Sequence, residues 1–173
     1  TLDDGILRSL AALLEKEGIT IRPSTFLVPE ILADQGCWTK RNPSKSEIGD
    51  IKLGWEIAKE IGRLDVGQCV VVAGGSVLAV EAIDGTDATI QRGGQLGNKN
   101  AVVVKVCKPN QDQRFDIPAI GLETIRTMIA SGVKALVIEA GKAVVFEKDA
   151  MIQLANKNKV SIIALESLED LEK

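Results

Sequence analysis

The sequence predicts an α/β fold in which helices flank a mixed β-sheet with hairpins. Apolar runs rich in valine and isoleucine alternate along the chain with segments of helical periodicity, which is typical of α/β domains. Two dipeptides, Gly74-Gly75 and Gly141-Lys142, each separate a pair of strand-like runs and predict two β-hairpins. Because a hairpin makes its strands antiparallel, the sheet is predicted to be only partly parallel.

The composition supports an aliphatic core and excludes several kinds of chemistry. The 173 residues are 45% hydrophobic but include only two tryptophans and three phenylalanines, so aliphatic side chains must fill the core. A net charge of −3 without a basic tract argues against nucleic-acid binding. Histidine is absent, which excludes histidine triads and typical zinc sites. A metal, if bound, is therefore expected to be a hard cation such as Mg²⁺ or Mn²⁺.

The first part of the chain predicts the end of one domain and a linker. Residues 2–17 have helical periodicity, residues 19–22 are a short strand candidate, and residues 26–33 are a weak helix or an irregular segment. Residues 34–46 are polar and contain glycine and proline, as linkers do. The domain boundary is accordingly placed between residues 43 and 44. The chain begins with threonine instead of methionine, so we expect a fragment or a processed product.

The second domain is predicted to begin with a helix and a hairpin. Ser46 is a candidate N-cap for a helix over residues 47–62. Gly74-Gly75 then connects predicted strands over residues 68–73 and 76–83. The elements predicted next are a short helix over residues 88–92, a mobile loop over 93–100 and a buried strand over 101–107.

The last third of the chain predicts further alternation of helix and strand. A helix over residues 122–130 leads to a strand over 135–140, and Gly141-Lys142 turns that strand into a hairpin partner over 143–147. Asp149 is a candidate cap for a helix over 150–158. A strand over 160–165 and a frayed helical tail complete the predicted domain. No run of about 18 apolar residues occurs, so no membrane span is expected.

Residues 108–118 are the strongest candidate for a functional site. Prolines at both ends keep this polar segment from forming an ordinary helix, and it follows a predicted buried strand. Ligands in α/β proteins are commonly held at the ends of such strands. The segment combines carboxylates, cations and an amide, namely Lys108, Gln111, Asp112, Arg114 and Asp116.

The two aspartates of this segment suit a metal-bound phosphate. Asp112 and Asp116 lie four residues apart and would share a face of either a helix or a strand. Paired carboxylates can hold Mg²⁺ and activate its water toward phosphorus. Lys105, Lys108 and Arg114 can neutralise phosphate oxygens, Arg114 in a bidentate manner. The alternative is a surface loop with ordinary ion pairs.

A second polar cluster begins at Glu81, which lies inside an apolar run and faces either water or a site. Asp84 and Asp87 follow around a glycine and predict either a turn with an N-cap or a loop open to phosphate. In the second case Thr86 is a donor and Asp87 approaches a cation. Glu139 has a similar position near the end of another apolar strand, where it is expected to be a solvated edge residue.

Two long sequence blocks become apparent when these segments are taken together. The first comprises DVGQ at 65–68, VVV at 70–72 and VLAVEAIDGTD at 77–87, and the second is KVCKPNQDQRFDIP at 105–118. They resemble the bacterial UDP-2,3-diacylglucosamine pyrophosphatases of the non-metallophosphoesterase type. The spacing of the blocks also fits, and the resemblance covers nearly the whole chain. Asp84, where that family more often has glutamate, and Asn110, where it often has glycine, are mild departures.

The resemblance implies a Mg²⁺-dependent hydrolase of lipid A biosynthesis. Such an enzyme cleaves UDP-2,3-diacylglucosamine to UMP and 2,3-diacylglucosamine 1-phosphate, known as lipid X. It also implies a Rossmann-like N-terminal domain, of which residues 1–43 are the remnant and linker, and a C-terminal catalytic domain over residues 44–173. We expect a cytoplasmic location, contact with the inner membrane at its surface, a nucleotide-sugar lipid substrate and a homodimer.

The roles of individual residues follow from this resemblance and from their chemistry. Asp112 or Asp116, with Asp87, is expected to hold Mg²⁺ at the diphosphate, and the remaining carboxylate takes the proton. The residues expected to bind the substrate are Thr86, Lys105, Lys108, Gln111 and Arg114. Two competing hypotheses remain: a module that binds a nucleotide sugar or lipid phosphate without catalysis, and a purely structural assembly domain.

Overall fold

Eight strands form two sheets in the computed structural model, which describes residues 2–172 of the chain and the side chains of residues 5–172. Six of the strands make the main sheet: β1 (Gly36–Cys37), β2 (Cys69–Ala73), β3 (Ser76–Val80), β4 (Val102–Lys105), β6 (Ala135–Glu139) and β8 (Ser161–Leu165). The other two, β5 (Ala119–Ile120) and β7 (Val144–Val145), pair in parallel as a small second sheet.

The main sheet is mixed, as predicted, with the strand order β1-β8-β6-β4-β2-β3. Strands β4, β6 and β8 are parallel, whereas β1, β2 and β3 each pair antiparallel with a neighbour. Strands β3, β4, β6 and β8 therefore all end at the same side of the sheet. We call this side the carboxyl end of the sheet, and the opposite side, where these strands begin, the amino end.

Five α-helices accompany the sheet: α1 (Leu2–Lys16), α2 (Lys45–Arg63), α3 (Gly85–Leu96), α4 (Leu122–Ala130) and α5 (Lys148–Lys157). Short 3₁₀ helices cover Ser24–Phe26, Pro29–Ile31 and Leu168–Glu172. None of the helices in the described part of the chain has both the length and the apolar character needed to span a membrane.

The core is aliphatic on both faces of the main sheet because alternate strand residues point to opposite faces. One face packs against α2, and the buried side chains there include Ile51, Trp55, Val72, Val104 and Val137. The other face is covered by α3, α4 and α5, with buried side chains that include Val71, Ile90, Val103, Ile125 and Met151. The sheet thus lies between two helical layers that cover its faces. Its carboxyl end is not covered by these layers and can hold a site.

Several predicted elements are confirmed. They include the first helix, the hairpin at Gly74-Gly75 and the helix over residues 122–130. The second hairpin is wrong. Gly141, two residues after the end of β6, has a φ of +70°, and the chain then leaves the main sheet. Val144 instead donates its N–H to the carbonyl of Pro118, and β7 pairs with β5.

The predicted mobile loop over residues 93–100 is wrong over its first half, where α3 continues to Leu96. A Cβ atom on Gly93 would lie 2.4 Å from the Cβ of Val71, and one on Gly94 would lie 2.5 Å from the carbonyl oxygen of Ser131. These glycines therefore let α3 pack closely on its neighbours. Close packing, rather than the conformational freedom of glycine, explains why two glycines occur here.

Four local predictions are corrected by the structure. Residues 19–22 form no strand, whereas the predicted linker contains β1, which pairs with β8. Helix α2 begins after Ser44 instead of Ser46, because Ser44 and Glu47 form a reciprocal capping box. The residue that precedes α5 is Glu147, in a left-handed conformation, so Asp149 is not its cap.

Candidate functional site

A cleft of about 380 Å³ lies at the carboxyl end of the sheet, where residues 108–116 meet α1 and the end of α2. Its lining carries charges of both signs and amides, namely Arg8, Arg63, Asp65, Lys108, Asn110, Gln111 and Asp116. Leu7 and Phe115 add apolar surface. Three of the predicted site residues, Lys108, Gln111 and Asp116, therefore come together in one concave surface.

The end of α2 packs directly against this segment. A Cβ atom on Gly62 would lie 3.2 Å from the ring of Pro109 and 3.3 Å from the Cα of Lys108, so only a small residue fits there. The Nζ of Lys108 lies 2.7 Å from the Oδ1 of Asp65, which follows α2. These contacts hold the first residues of the segment against the helix.

Successive turns, instead of a helix or a strand, shape residues 108–116. The N–H of Gln111 donates to the carbonyl of Lys108, and the N–H groups of Phe115 and Asp116 both donate to the carbonyl of Asp112. The predicted common face of two aspartates therefore does not arise from regular geometry. Each carboxylate has its own surroundings.

Asp112 is paired with a cation of the same segment. Its Oδ1 lies 3.0 Å from the Nε of Arg114, and its Oδ2 lies 2.8 Å from the Nη2 of Arg114. These hydrogen bonds lower the pKa of Asp112 below its usual value. Arg114 also contacts Glu15 of α1 at 2.8 Å, so its charge is shared between two carboxylates.

Asp116 faces the cleft and is exposed. Its Oδ2 accepts a hydrogen bond from the Nε2 of Gln111. The Oε1 of Gln111 in turn accepts from the N–H of Lys108 at 3.1 Å and from the thiol of Cys107 at 3.2 Å. The orientation of the Gln111 amide is thereby set, and with it the position of the Asp116 carboxylate.

The other predicted site residues do not line this cleft. The hydroxyl of Thr86 donates to the Oε1 of Glu81 at 2.7 Å, and the Nζ of Lys105 donates to the carbonyl of Ala119 at 2.9 Å. Asp87 is exposed in the first turn of α3. Among the described side chains, those of residues 5–172, no group of three acidic or cysteine side chains is arranged to hold a metal ion. A three-aspartate metal site is therefore not preformed.

Glu81 does not face solvent, contrary to one of its two predicted positions. Only 7% of the residue is exposed, and its Oε2 accepts the N–H of Gln68 at 3.0 Å. A Cβ atom on Gly67 would lie 2.2 Å from the carbonyl oxygen of Glu81, so the two segments touch through their backbones. Glu81 thus joins the start of β2 to the first turn of α3 through Thr86.

Glu139 is the residue whose surroundings differ most from its predicted position. The prediction of a solvated edge position is wrong, since only 3% of Glu139 is exposed. Its carboxylate lies 2.6 Å from the Nζ of Lys59 and 2.7 Å from the Nζ of Lys142, and it accepts the N–H of Cys107 at 2.9 Å. Burial opposes its charge, but these hydrogen bonds outweigh burial and lower the pKa of Glu139.

The sequence contained one signal for this arrangement. Glu139 ends an apolar strand whose other residues are all buried, so its carboxylate needs a partner if it shares their burial. The partner in α2, however, lies 80 residues earlier in the chain. Sequence spacing alone does not reveal that contact.

Comparison with known proteins decides the family. Residues 34–163 match the LpxI C-terminal domain family. This chain belongs to that family. It is 35% identical over 175 residues to the UDP-2,3-diacylglucosamine pyrophosphatase LpxI of Caulobacter vibrioides, a match that covers 96% of this chain. The same match covers 62% of the relative, so the chain spans less than two thirds of the relative's length.

The LpxI C-terminal domain match includes most of the cleft. Residues 108–116, the end of α2 and Glu139 all lie inside the matched range, whereas Leu7 and Arg8 of α1 lie outside it. The resemblance described from the sequence blocks is confirmed at the level of the family. The candidate site therefore belongs to the LpxI C-terminal domain with one wall contributed by α1.

Proposed function

We propose that this protein hydrolyses the diphosphate of UDP-2,3-diacylglucosamine to UMP and lipid X in lipid A biosynthesis. The observation that carries the proposal is the cleft, in which a carboxylate lies among cations in a chain related to an enzyme named as a pyrophosphatase for this substrate. A diphosphate is anionic and its hydrolysis needs a proton acceptor, and the cleft offers groups of both kinds.

Asp116 is the proposed general base. It is exposed to the cleft, and the Gln111 amide fixes one of its oxygens. A carboxylate held in this way can take the proton of the water that attacks phosphorus. Asp112, with both oxygens on Arg114, is less available for this role. It becomes available when Arg114 turns to the substrate.

The cations around the cleft are proposed to stabilise the diphosphate. Lys108 lines the cleft from the segment over residues 108–116, and Arg63 lines it from the end of α2. The Nζ of Lys108 also contacts the carboxylate of Asp65. Charged donors that are already in place when charge develops on phosphoryl oxygens lower the barrier to hydrolysis. Thr86 and Lys105 lie near the carboxyl end of the sheet outside the cleft, and we assign them to the sugar or nucleotide part of the substrate.

The carboxylates fit a Mg²⁺ ion that is bound together with the substrate. Mg²⁺ commonly takes one or two protein carboxylates and completes its coordination with water and substrate phosphates. With Asp116 as the base, Asp112 and Asp87 are the proposed carboxylate ligands of the metal. Bound there, the metal would offset the negative charge of the diphosphate.

A lipid substrate also brings the protein to a membrane surface. Leu64, Val66 and Ile83 are exposed near the carboxyl end of the sheet, where they can contact acyl chains or lipid. We propose a cytoplasmic protein with contact at the surface of the inner membrane, and a homodimer. These assignments rest on the substrate and on the family.

Release of UMP tests the proposed function. The protein is incubated with UDP-2,3-diacylglucosamine in detergent with Mg²⁺ or with EDTA, and UMP is measured by chromatography. We expect UMP with Mg²⁺ and none with EDTA. The contrary result is that UDP raises the melting temperature but no UMP forms, even after the N-terminal region of a full-length relative is added. In that case the hypothesis of a binding module replaces that of an enzyme.

A further inference from the structure

Cys107, the residue just before the cleft segment, is held through both of its backbone groups. Its N–H donates to the Oε2 of Glu139 at 2.9 Å, and its carbonyl accepts from the Nζ of Lys59 at 3.2 Å. The same two side chains contact each other at 2.6 Å. A single ion pair therefore fixes the point at which the chain leaves the end of β4 for the cleft.

This ion pair connects three elements of the fold. Glu139 is the last residue of β6, Lys59 belongs to the last turns of α2, and Lys142 follows β6 and contacts the second carboxylate oxygen. We call Glu139, Lys59 and Lys142 the Glu139 cluster. The carboxylate is buried, whereas both lysines reach solvent. Its oxygens are thus satisfied by two cations and one backbone N–H.

A continuous path of contacts leads from this cluster to Asp116. The path begins at Cys107, which directly precedes residues 108–116. Its thiol donates to the Oε1 of Gln111. The N–H of Lys108 donates to the same oxygen. The other end of the amide, Nε2, donates to Asp116. Each member of the path fixes the orientation of the next.

We infer that the Glu139 cluster is a positioning device for the Asp116 carboxylate. A buried ion pair is a weak source of stability, because the desolvation of its charges offsets their attraction. The described contacts give this pair another consequence, which is to set the backbone at Cys107 and the Gln111 amide beyond it. Glu139 acts on the reaction through Cys107 and Gln111. The inference rests on the proposed function of Asp116.

Four variants of the full chain test this inference. Glu139→Gln keeps the shape of the side chain but removes its charge, and Lys59→Met removes the contact with the carbonyl of Cys107. The matched controls are Glu47→Gln, a buried ion-paired glutamate at the amino end of the sheet, and Lys52→Met, an ion-paired lysine elsewhere in α2. Circular dichroism selects a temperature at which all four variants are folded.

The steady-state kinetics of UMP release distinguish positioning from stability. We expect Glu139→Gln and Lys59→Met to lower kcat by about 10- to 100-fold with KM changed by less than about 3-fold. Both controls should keep the wild-type kcat. If Glu139→Gln and Lys59→Met keep the wild-type kcat, or if the controls lose as much, the inference is overturned. If Glu139→Gln does not fold, Lys59→Met decides, because its Glu139 retains Lys142 as a counterion.

Hydrogen–deuterium exchange separates this inference from the proposed function. In Glu139→Gln and Lys59→Met, amides of residues 107–116 should exchange faster than in the wild type, whereas the controls leave this segment unchanged. If the wild type releases no UMP, also after the N-terminal region of a full-length relative is added, the proposed function is disproved, and the exchange result then decides whether the cluster orders the segment. Equal exchange in all variants overturns the inference.

Discussion

Two buried glutamates occupy opposite ends of the same sheet and have similar partners. At the amino end, Glu47 accepts two hydrogen bonds from Arg41, at 2.6 and 2.7 Å, and one from the N–H of Ser44. At the carboxyl end, Glu139 accepts from Lys59, Lys142 and a backbone N–H. Each carboxylate is thus buried with cations and a main-chain donor.

The difference lies in what each ion pair holds. Arg41 also donates to the carbonyl of Lys134 and to the hydroxyl of Ser161, so the Glu47 pair joins the start of α2 to the starts of two strands. Ser161 is the first residue of β8, and Lys134 directly precedes β6. The Glu139 cluster holds an irregular segment that lines the cleft. Similar ion pairs therefore join a helix to two strands at one end and orient candidate catalytic groups at the other.

The largest effect is expected from Asp116→Asn at the carboxyl end. Loss of the general base should lower kcat by at least about 100-fold. The melting temperature should change little, since the side chain is exposed. Asp149→Asn in α5, also exposed, is the control and should retain full activity. A variant at position 116 that keeps most of the UMP release would remove Asp116 from the mechanism.

A smaller effect, on stability, is expected from glycine substitutions at the two ends. In Gly67→Ala the new Cβ would lie 2.2 Å from the carbonyl oxygen of Glu81, which should lower the free energy of unfolding by about 1–3 kcal/mol. Gly49→Ala, in the amino-terminal half of α2, has no atom within 4 Å and should raise it by up to about 1 kcal/mol. Urea unfolding measures both. A neutral Gly67→Ala would show that these backbones can separate freely.

The smallest expected effect is the pH dependence of stability that the two glutamates cause. At Glu47, burial opposes the charge, but hydrogen bonds from Ser44 and Arg41 lower its pKa below 4.5, and the pKa of Glu139 is lowered too. A lowered folded-state pKa gives stability that is complete above the unfolded-state value and is lost as the pH falls through the folded-state value. Acidification below about pH 4.5 should therefore destabilise the protein.

Glutamine variants at the two sites show how much each glutamate contributes to the loss of stability at low pH. Urea unfolding of the wild type, Glu47→Gln and Glu139→Gln at pH 7 and pH 4 gives the three changes in free energy. Each substitution should make stability less sensitive to this pH change. Identical pH dependence in all three proteins would show that neither carboxylate has a lowered pKa.

Much of the fold could be predicted because its signals are local. Apolar runs and helical periodicity located the buried strands and most helices, and Gly74-Gly75 located a hairpin whose turn needs positive φ at both residues. The predicted hairpin at Gly141 failed because β7 pairs with β5, a segment that precedes it by more than 20 residues in the chain. Gly93 and Gly94 were misassigned since their role is close packing, which depends on Val71 and Ser131.

The candidate site divides in the same way. Sequence density of polar residues located the segment with Lys108, Gln111 and Asp116, and these three line the cleft. The sequence could not show that Arg114 pairs with the Asp112 carboxylate, because that contact depends on the turn that the chain adopts. Nor could it identify the contact of Glu139 with Lys59, which the packing of α2 on the sheet creates.

The proposed site is tested most directly by locating a metal-bound diphosphate on the protein. Mn²⁺, a paramagnetic substitute for Mg²⁺, is titrated with UDP into ¹⁵N-labelled protein, and the broadening of backbone amide signals is measured. We expect the signals of residues 108–116 to broaden and the signals of residues 41–47, at the amino end, to stay unchanged. Broadening at the amino end, or none at residues 108–116, would contradict the proposed site.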